Sequence, residues 1–273
     1  MGADILMDGR LAILIGLTFV MHLIATLAFS VRIAGTRTGK IALSLALFNI
    51  LVLVSRTSNG LQAPLLAKRI EHNLAAHTLA GASADFRWLL LATSAATLAG
   101  AFLIPTFQRL IGHAVTAFGV YRSMPKLLLR GISRTGVVYL RRSVRIPSQN
   151  NLIRMGRRRG VPVRVVVLNT AATAISTVGV FSALYAGYLH PELRSTAANL
   201  SGTINGVAMI FMAIFIDPQL SMMTDDVTDG RLSEGAFRQS VTWLVGSRFV
   251  GTLLAQTLLI PAAMLIAAVA RLL

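Results

Sequence analysis

A chain of 273 residues that is 55% hydrophobic and only 13% charged, with a mean hydropathy of +0.69, lies too far from globular averages to be a soluble protein. Its 26 Lys and Arg against 10 Asp and Glu leave a net charge of +16, which calls for an anionic partner or an anionic surface. Cys is absent, so disulfide frameworks, thiolate metal sites and cysteine nucleophiles are excluded together.

A bilayer core of roughly 30 Å needs about 20 mostly apolar residues per helix. Six stretches meet that length, at 11–31, 41–63, 86–104, 161–189, 194–216 and 240–270. The fold class is therefore all-α, a polytopic integral membrane protein in a single domain over 1–273. The first stretch reads as a retained helix rather than a cleavable signal, because Asp4 and Asp8 precede it where a basic region belongs. The second is interrupted near its far end by Ser55-Arg56-Thr57-Ser58-Asn59, and the last carries Pro261, where a kink is expected. Lys and Arg number 17 in the connections on one side and 5 on the other. Since cytoplasmic loops carry the excess, both termini are expected outside. Three plus three spans would allow an inverted repeat, but only Asn59-Gly60 against Asn205-Gly206 echoes between the halves, no more than chance.

Between the third and fourth spans, the segment 105–160 holds twelve basic residues and no acid. Arg130, Arg134, Arg141 and Arg145 fall on one helical face, while Leu127, Leu128, Ile132, Val138 and Val144 gather largely away from it. That pattern predicts a basic amphipathic helix in the cytoplasmic interface, its cations on anionic lipid headgroups. Arg157-Arg158-Arg159, then Gly160 and Pro162, anchor the start of the fourth span. No nucleic-acid recognition motif accompanies these charges, and no nucleic-acid partner is expected.

Polar groups deep in a span are costly and carry functional information. On a helix from Ile41, Arg56 shares a face with Asn49, Ser55, Asn59 and Gln62, a stripe about 140° wide at 100° per residue. Ser247, Arg248, Thr252 and Gln256 form a second stripe in the sixth span, and Thr18, His22 and Thr26 a third in the first span. The fifth adds Asn199, Ser201, Thr203 and Asn205 among Gly202 and Gly206. Arg56 and Arg248 have no carboxylate nearby in the spans; only Glu71, Asp85, Glu192 and Asp217 lie near span ends. Such an arginine either takes a phosphate or carboxylate bidentately, or snorkels and bonds helix carbonyls. Arg32 and Arg164 stand at cytoplasmic helix ends, as interfacial residues or as further anion contacts. His22 is either a hydrogen-bonded packing histidine or a proton-sensing group. The substrate-binding candidates are thus Arg32, Asn49, Arg56, Asn59, Gln62 and Arg248, with His22 beside them.

Asp217, Asp225, Asp226 and Asp229 match no EF-hand spacing. Asp217-Pro218 and Ser233-Glu234 suit helix starts, and Asp225 and Asp226 are candidates to pair with arginines of 105–160. There is no GxSxG, HExxH or Walker A lysine, and the five His lack metal-ligand spacing, so no catalytic residue, metal or cofactor is expected. Amides, hydroxyls and arginines bind anions better than they transform them. Three functions fit: a transporter of an anionic lipid, a transporter of a smaller anion, or a scaffold recruiting lipid or partners through 105–160.

The run Arg32-Ile-Ala-Gly35-Thr-Arg37-Thr38, then Ser44-Leu-Ala-Leu-Phe48-Asn49, Ser55-Arg56-Thr57-Ser58-Asn59 and Gln62-Ala63-Pro64, resembles the Amj family of bacterial membrane proteins. The likeness is clearest over 20–64 and extends to the stretch from Asp217-Pro218 to Asp226. It implies a flippase that can stand in for the unrelated MurJ, moving lipid II, the undecaprenyl-pyrophosphate-linked disaccharide pentapeptide, from the cytoplasmic to the outer leaflet of the cytoplasmic membrane. Six helices are few to enclose so large a headgroup, so a homodimer or an open groove that leaves the tail in lipid is expected.

Overall fold

A computed structural model describes residues 9–75, 79–123, 126, 129, 131, 133–145 and 161–273. The helices are α1 (Gly9–Thr38), α2 (Ile41–Ala75), α3 (Leu79–Tyr121), α4 (Arg134–Ser143), α5 (Val163–Leu189), α6 (Arg194–Phe215), α7 (Asp217–Thr228) and α8 (Glu234–Leu272), with a 3-10 turn at Pro191–Leu193. No strand occurs among the described residues. Six stretches are long and apolar enough to cross a membrane, α6 and α7 counting as one (Pro191–Thr228). Asp4, Asp8, Leu127, Leu128, Arg130, Ile132, the Arg157–Arg159 triplet and Gly160 lie outside the described residues.

The helices outrun the apolar stretches that announce them. α2 passes unbroken through 55–59 because the hydroxyls of Thr57 and Ser58 bond back to the carbonyls of Leu53 and Val54, both at 3.0 Å, and keep their polarity local. Pro64, Pro105 and Pro261 all sit inside helices. α3 continues past residue 104 because Ile111 and Val115 are buried against α1 and α2. Its 43 residues reach about 64 Å at 1.5 Å per residue, twice the hydrocarbon thickness. Gly39, at φ 65°, makes the left-handed turn that folds α2 back on α1. Ser233 caps α8 by accepting from the Ala236 amide at 3.2 Å, as its sequence suggested, whereas the cap of α7 falls one residue before the expected Asp217, with Ile216 at the N-cap and no side-chain cap bond.

Ion pairs define the two ends of the bundle. At one, called the basic end because 105–160 leaves and returns there, Arg37 of α1 pairs with Glu234 of α8 at 2.5 Å. At the opposite end Arg194 of α6 pairs with Glu71 of α2, and Arg69 forks onto Asp85 of α3 at 2.6 and 3.2 Å. One core cluster at the opposite end draws on α1, α2, α3, α5, α6 and α8, with Phe86 and Tyr185 edge to face at 5.3 Å. Nearer the basic end the core divides: one cluster joins α1, α2 and α3, the other the end of α1 with α5, α7 and α8.

Close approach depends on glycines. A Cβ at Gly251 of α8 would stand 2.6 Å from the Thr170 carbonyl oxygen and 2.8 Å from Thr173 Cβ, and one at Gly100 of α3 2.8 Å from Thr26 Cβ. Because the first of these obstacles is backbone, Gly251→Ala is expected to cost about 1–3 kcal/mol by forcing α5 and α8 apart. A lowered midpoint in a thermal-unfolding assay in detergent checks this.

Candidate functional site

Arg248 and His22 lie within electrostatic reach of each other inside the bundle. The apolar face of α8 that carries Leu244, Val245, Gly251 and Ala255 also carries Ser247, Arg248 and Thr252, so packing that buries the first set buries the second. Arg248 is 8% exposed, its Nε has no hydrogen-bond partner, and no carboxylate among the described residues pairs with it. His22 of α1, whose Nδ1 is also sealed without a partner, lies close enough to feel the Arg248 charge. Above and below it on α1, Thr18 and Thr26 are fully buried, and Gln62 of α2 donates to Thr18 Oγ1 at 2.6 Å.

α5 completes the arrangement. Asn169 Nδ2 donates to the Leu244 carbonyl at 2.9 Å and to Ser247 Oγ at 2.8 Å, while its Oδ1 bonds to nothing described. Thr173 and Thr177 are buried with unbonded hydroxyls. Their neighbours Thr18, Thr26, Thr93 and Thr97 all return their hydroxyls to a carbonyl one turn back, as helical threonines in an apolar setting normally do. Asn169, Thr173 and Thr177 were not singled out in the sequence, although they recur at i, i+4 and i+8 just as Thr18, His22 and Thr26 do. The long apolar run around them hid the signal.

The other sequence candidates fall elsewhere. Asn49, Arg56 and Asn59 are exposed on the outer face of α2, and only Gln62, at the edge of that stripe, turns inward. Arg32, at the basic end, donates to Ser221 Oγ at 3.2 Å with Asp217 and Asp225 within electrostatic reach. Asp226 pairs instead with Arg231 at 3.0 Å, so among the described residues α7 serves α1 and its own turn rather than 105–160. Arg164 is exposed at the start of α5. On α6, Asn199 and Thr203 are exposed and Ser201 and Asn205 half-buried.

α2 and α6 come together at the opposite end, where Ala67, Ile70, Leu184, Arg194, Ser195 and Ala198 surround a cavity of about 160 Å³. Nearer the basic end they share no core cluster, and a side chain at Gly60, Gly202 or Gly206 would meet nothing within 4 Å. The bundle is thus sealed at one end and has open faces on α2 and α6.

Outside the bundle, α4 is tied to α3 by reciprocal bonds between Thr106 Oγ1 and the Arg145 backbone, at 3.0 and 3.1 Å, and by the His113 and Tyr139 rings at 5.2 Å. Between the helices lies a mostly apolar cavity of about 530 Å³, with Leu110, Ala114, Ala117, Val120 and Leu140 in its walls. Arg134, Arg141, Arg142 and Arg145 are exposed around it and make no ion pair among the described residues.

A helical bundle with six membrane-length helices among its described residues and ion pairs at both ends is a multi-pass membrane protein. The chain matches the family described as Amj, Alternate to MurJ, over residues 17–270, and it belongs to that family. It is 39% identical over 249 residues to the lipid II flippase Amj of Bacillus subtilis (strain 168), covering 91% of this chain and 92% of the relative. No solved structure matches it.

Proposed function

We propose that this chain is a lipid II flippase, a transporter and not an enzyme, which carries the polyprenyl-pyrophosphate-linked peptidoglycan precursor from the cytoplasmic to the outer leaflet of the bacterial cytoplasmic membrane. The relative's activity supplies the substrate, and Arg248 carries the reading: a buried guanidinium without a carboxylate is matched by an anion that arrives and leaves. Asn169, Thr173 and Thr177 offer exchangeable hydrogen bonds to the sugars. Asn49, Arg56 and Asn59 on the open face of α2 guide the headgroup while the prenyl tail stays in lipid, and Gln62 holds α2 to α1. Arg32 stands where the pyrophosphate enters.

In this reading the basic end faces the cytoplasm and both termini lie outside, which the distribution of Lys and Arg supports. The arginines of α4 rest on anionic headgroups, and the apolar cavity beneath accepts lipid chains. In a homodimer, a second copy facing α2 across Ala42, Ala46, Gly60 and Ala63 walls the headgroup path between the two chains.

The test is rescue of a bacterium depleted of its own lipid II flippase, with outer-leaflet lipid II as the readout. The parent chain is expected to restore growth, and Arg56→Gln to cut translocation about tenfold by removing one charged contact. A correctly inserted parent that fails to rescue returns the chain to the small-anion or scaffold readings, and an Arg56→Gln variant with full activity removes α2 from the path.

A further inference from the structure

The halves of the chain share one order of helix packing. In the first, α1 packs chiefly against α3, next against α2, and α2 touches α3 least; in the second, α5 packs chiefly against α8, next against α6, and α6 touches α8 least. The element ends recur at one interval along the chain: Thr38 and Leu189 end the first helices, and Tyr121 and Leu272 the third. Laid over each other at that interval, α2 covers α6 and α7 almost end for end, the break at Asp217-Pro218 being the difference.

Individual residues keep the same register. Phe86 and Phe237, the two largest fully buried side chains among the described residues, coincide, as do Gly100 and Gly251, each the point where the third helix presses on a threonine of the first. Thr18, His22 and Thr26 fall on Asn169, Thr173 and Thr177. Close to that register, Gly35 admits the Cα of Ile41 and Gly187 the Cα of Arg194, where each second helix starts. The halves run in opposite directions. α1 ends at α8's start through Arg37 and Glu234, while α5 and α8 end together through His190 and Arg271, so α5 is antiparallel to α1.

We infer that the chain is an inverted structural repeat, and that the polar triads of α1 and α5, which α8 bridges through Arg248 beside His22 and Ser247 on Asn169, form one binding site for the headgroup that the halves expose alternately to each side of the membrane. The physical argument has two parts. Two antiparallel copies of one packing scheme can exchange their slightly different conformations at little cost, which moves an opening from one face to the other around a fixed centre. The three helices around that centre, α1, α8 and α5, bury the unbonded Nδ1 of His22, Nε of Arg248, Oδ1 of Asn169 and hydroxyls of Thr173 and Thr177. Unsatisfied polar groups are costly in a bilayer interior, so these are retained for a ligand that supplies the partners. Arg248 falls on Thr97 in the other half, so the site is symmetric in its hydroxyls and amide but one-sided in charge.

The exchange specifies a contact absent here. Glu71 and Arg194, which close the opposite end, correspond to positions 222–224 and 41–43. In the other state the start of α2 therefore meets α7, which it does not pack against in this one. The inference rests on the proposed function only for the identity of the ligand. Because the chain has no Cys, paired cysteines can be read directly in native membranes with a short bifunctional thiol reagent. Glu71→Cys with Arg194→Cys and Leu43→Cys with Met222→Cys are both expected to cross-link. When all four cysteines are present, the two links are expected to exclude each other in any one molecule. Purified lipid II should shift their ratio at least threefold in the parent, and not in Thr173→Val with Thr177→Val. Linkage of the first pair without the second in a translocating protein overturns the exchange, and a lipid II shift that survives the double valine variant overturns the binding site. If both links form but lipid II changes nothing and no translocation occurs, the lipid II reading fails while the repeat stands.

Discussion

Arg248→Met is expected to make the protein more stable and inactive at once. An arginine at the centre of a membrane helix costs about 2.5–3.5 kcal/mol on insertion scales, an upper bound for Arg248, and the described residues give its Nε no hydrogen bond in return. Methionine fills a similar volume without the cost, so the thermal-unfolding midpoint in detergent should rise. Translocation should fall at least thirtyfold, because truncating one partner of a buried charge pair typically costs 2–5 kcal/mol of binding. Arg248→Lys separates charge from shape: it keeps the charge and loses the planar fork, and should recover part of the rate. An arginine kept for packing gives the opposite result, with Arg248→Met leaving outer-leaflet lipid II unchanged.

Bridging Glu71→Cys to Arg194→Cys with a cleavable linker is expected to stop translocation and cleavage to restore it. This ion pair joins the second helices of the two halves at the end sealed by the large shared core. A partly exposed pair of this kind contributes only about 0–1 kcal/mol, small enough to break in every transport cycle, whereas a covalent link does not break. Activity measured as lipid II accessible from outside should fall to background with the linker and recover when it is cut. Full activity in the linked protein would move the exit path away from α2 and α6.

Much of the candidate site could be read in the residues themselves, but not its arrangement. Arg56 and Arg248 have the same one-dimensional signature, a cation in an apolar run flanked by hydroxyls and amides. Only packing separates them: α8 buries Ser247 against α5 and Arg248 within reach of His22 on α1, while α2 spends its apolar face on α1 and leaves Asn49, Arg56 and Asn59 outside. Asn169, Thr173 and Thr177 were overlooked because a helix surrounded by other helices is apolar on all sides, and its hydropathy masks a polar triad. The repeat escaped for a related reason. Only a few positions, such as Phe86 and Phe237 or Gly100 and Gly251, are constrained by contact, and the rest of each membrane helix accepts any apolar side chain.

Sequence alone determined the membrane class, the six spans, the basic segment and the family. Hydropathy, charge and motif are properties of residues in order, and the bilayer reads them one segment at a time. Tertiary structure alone decided which arginine is buried, that α7 engages Arg32 with Ser221, and that two halves with little identity share one antiparallel packing scheme. Those outcomes depend on which helix faces meet. Such choices are made by small residues and hydrogen bonds between segments far apart in the chain, and no local pattern records them.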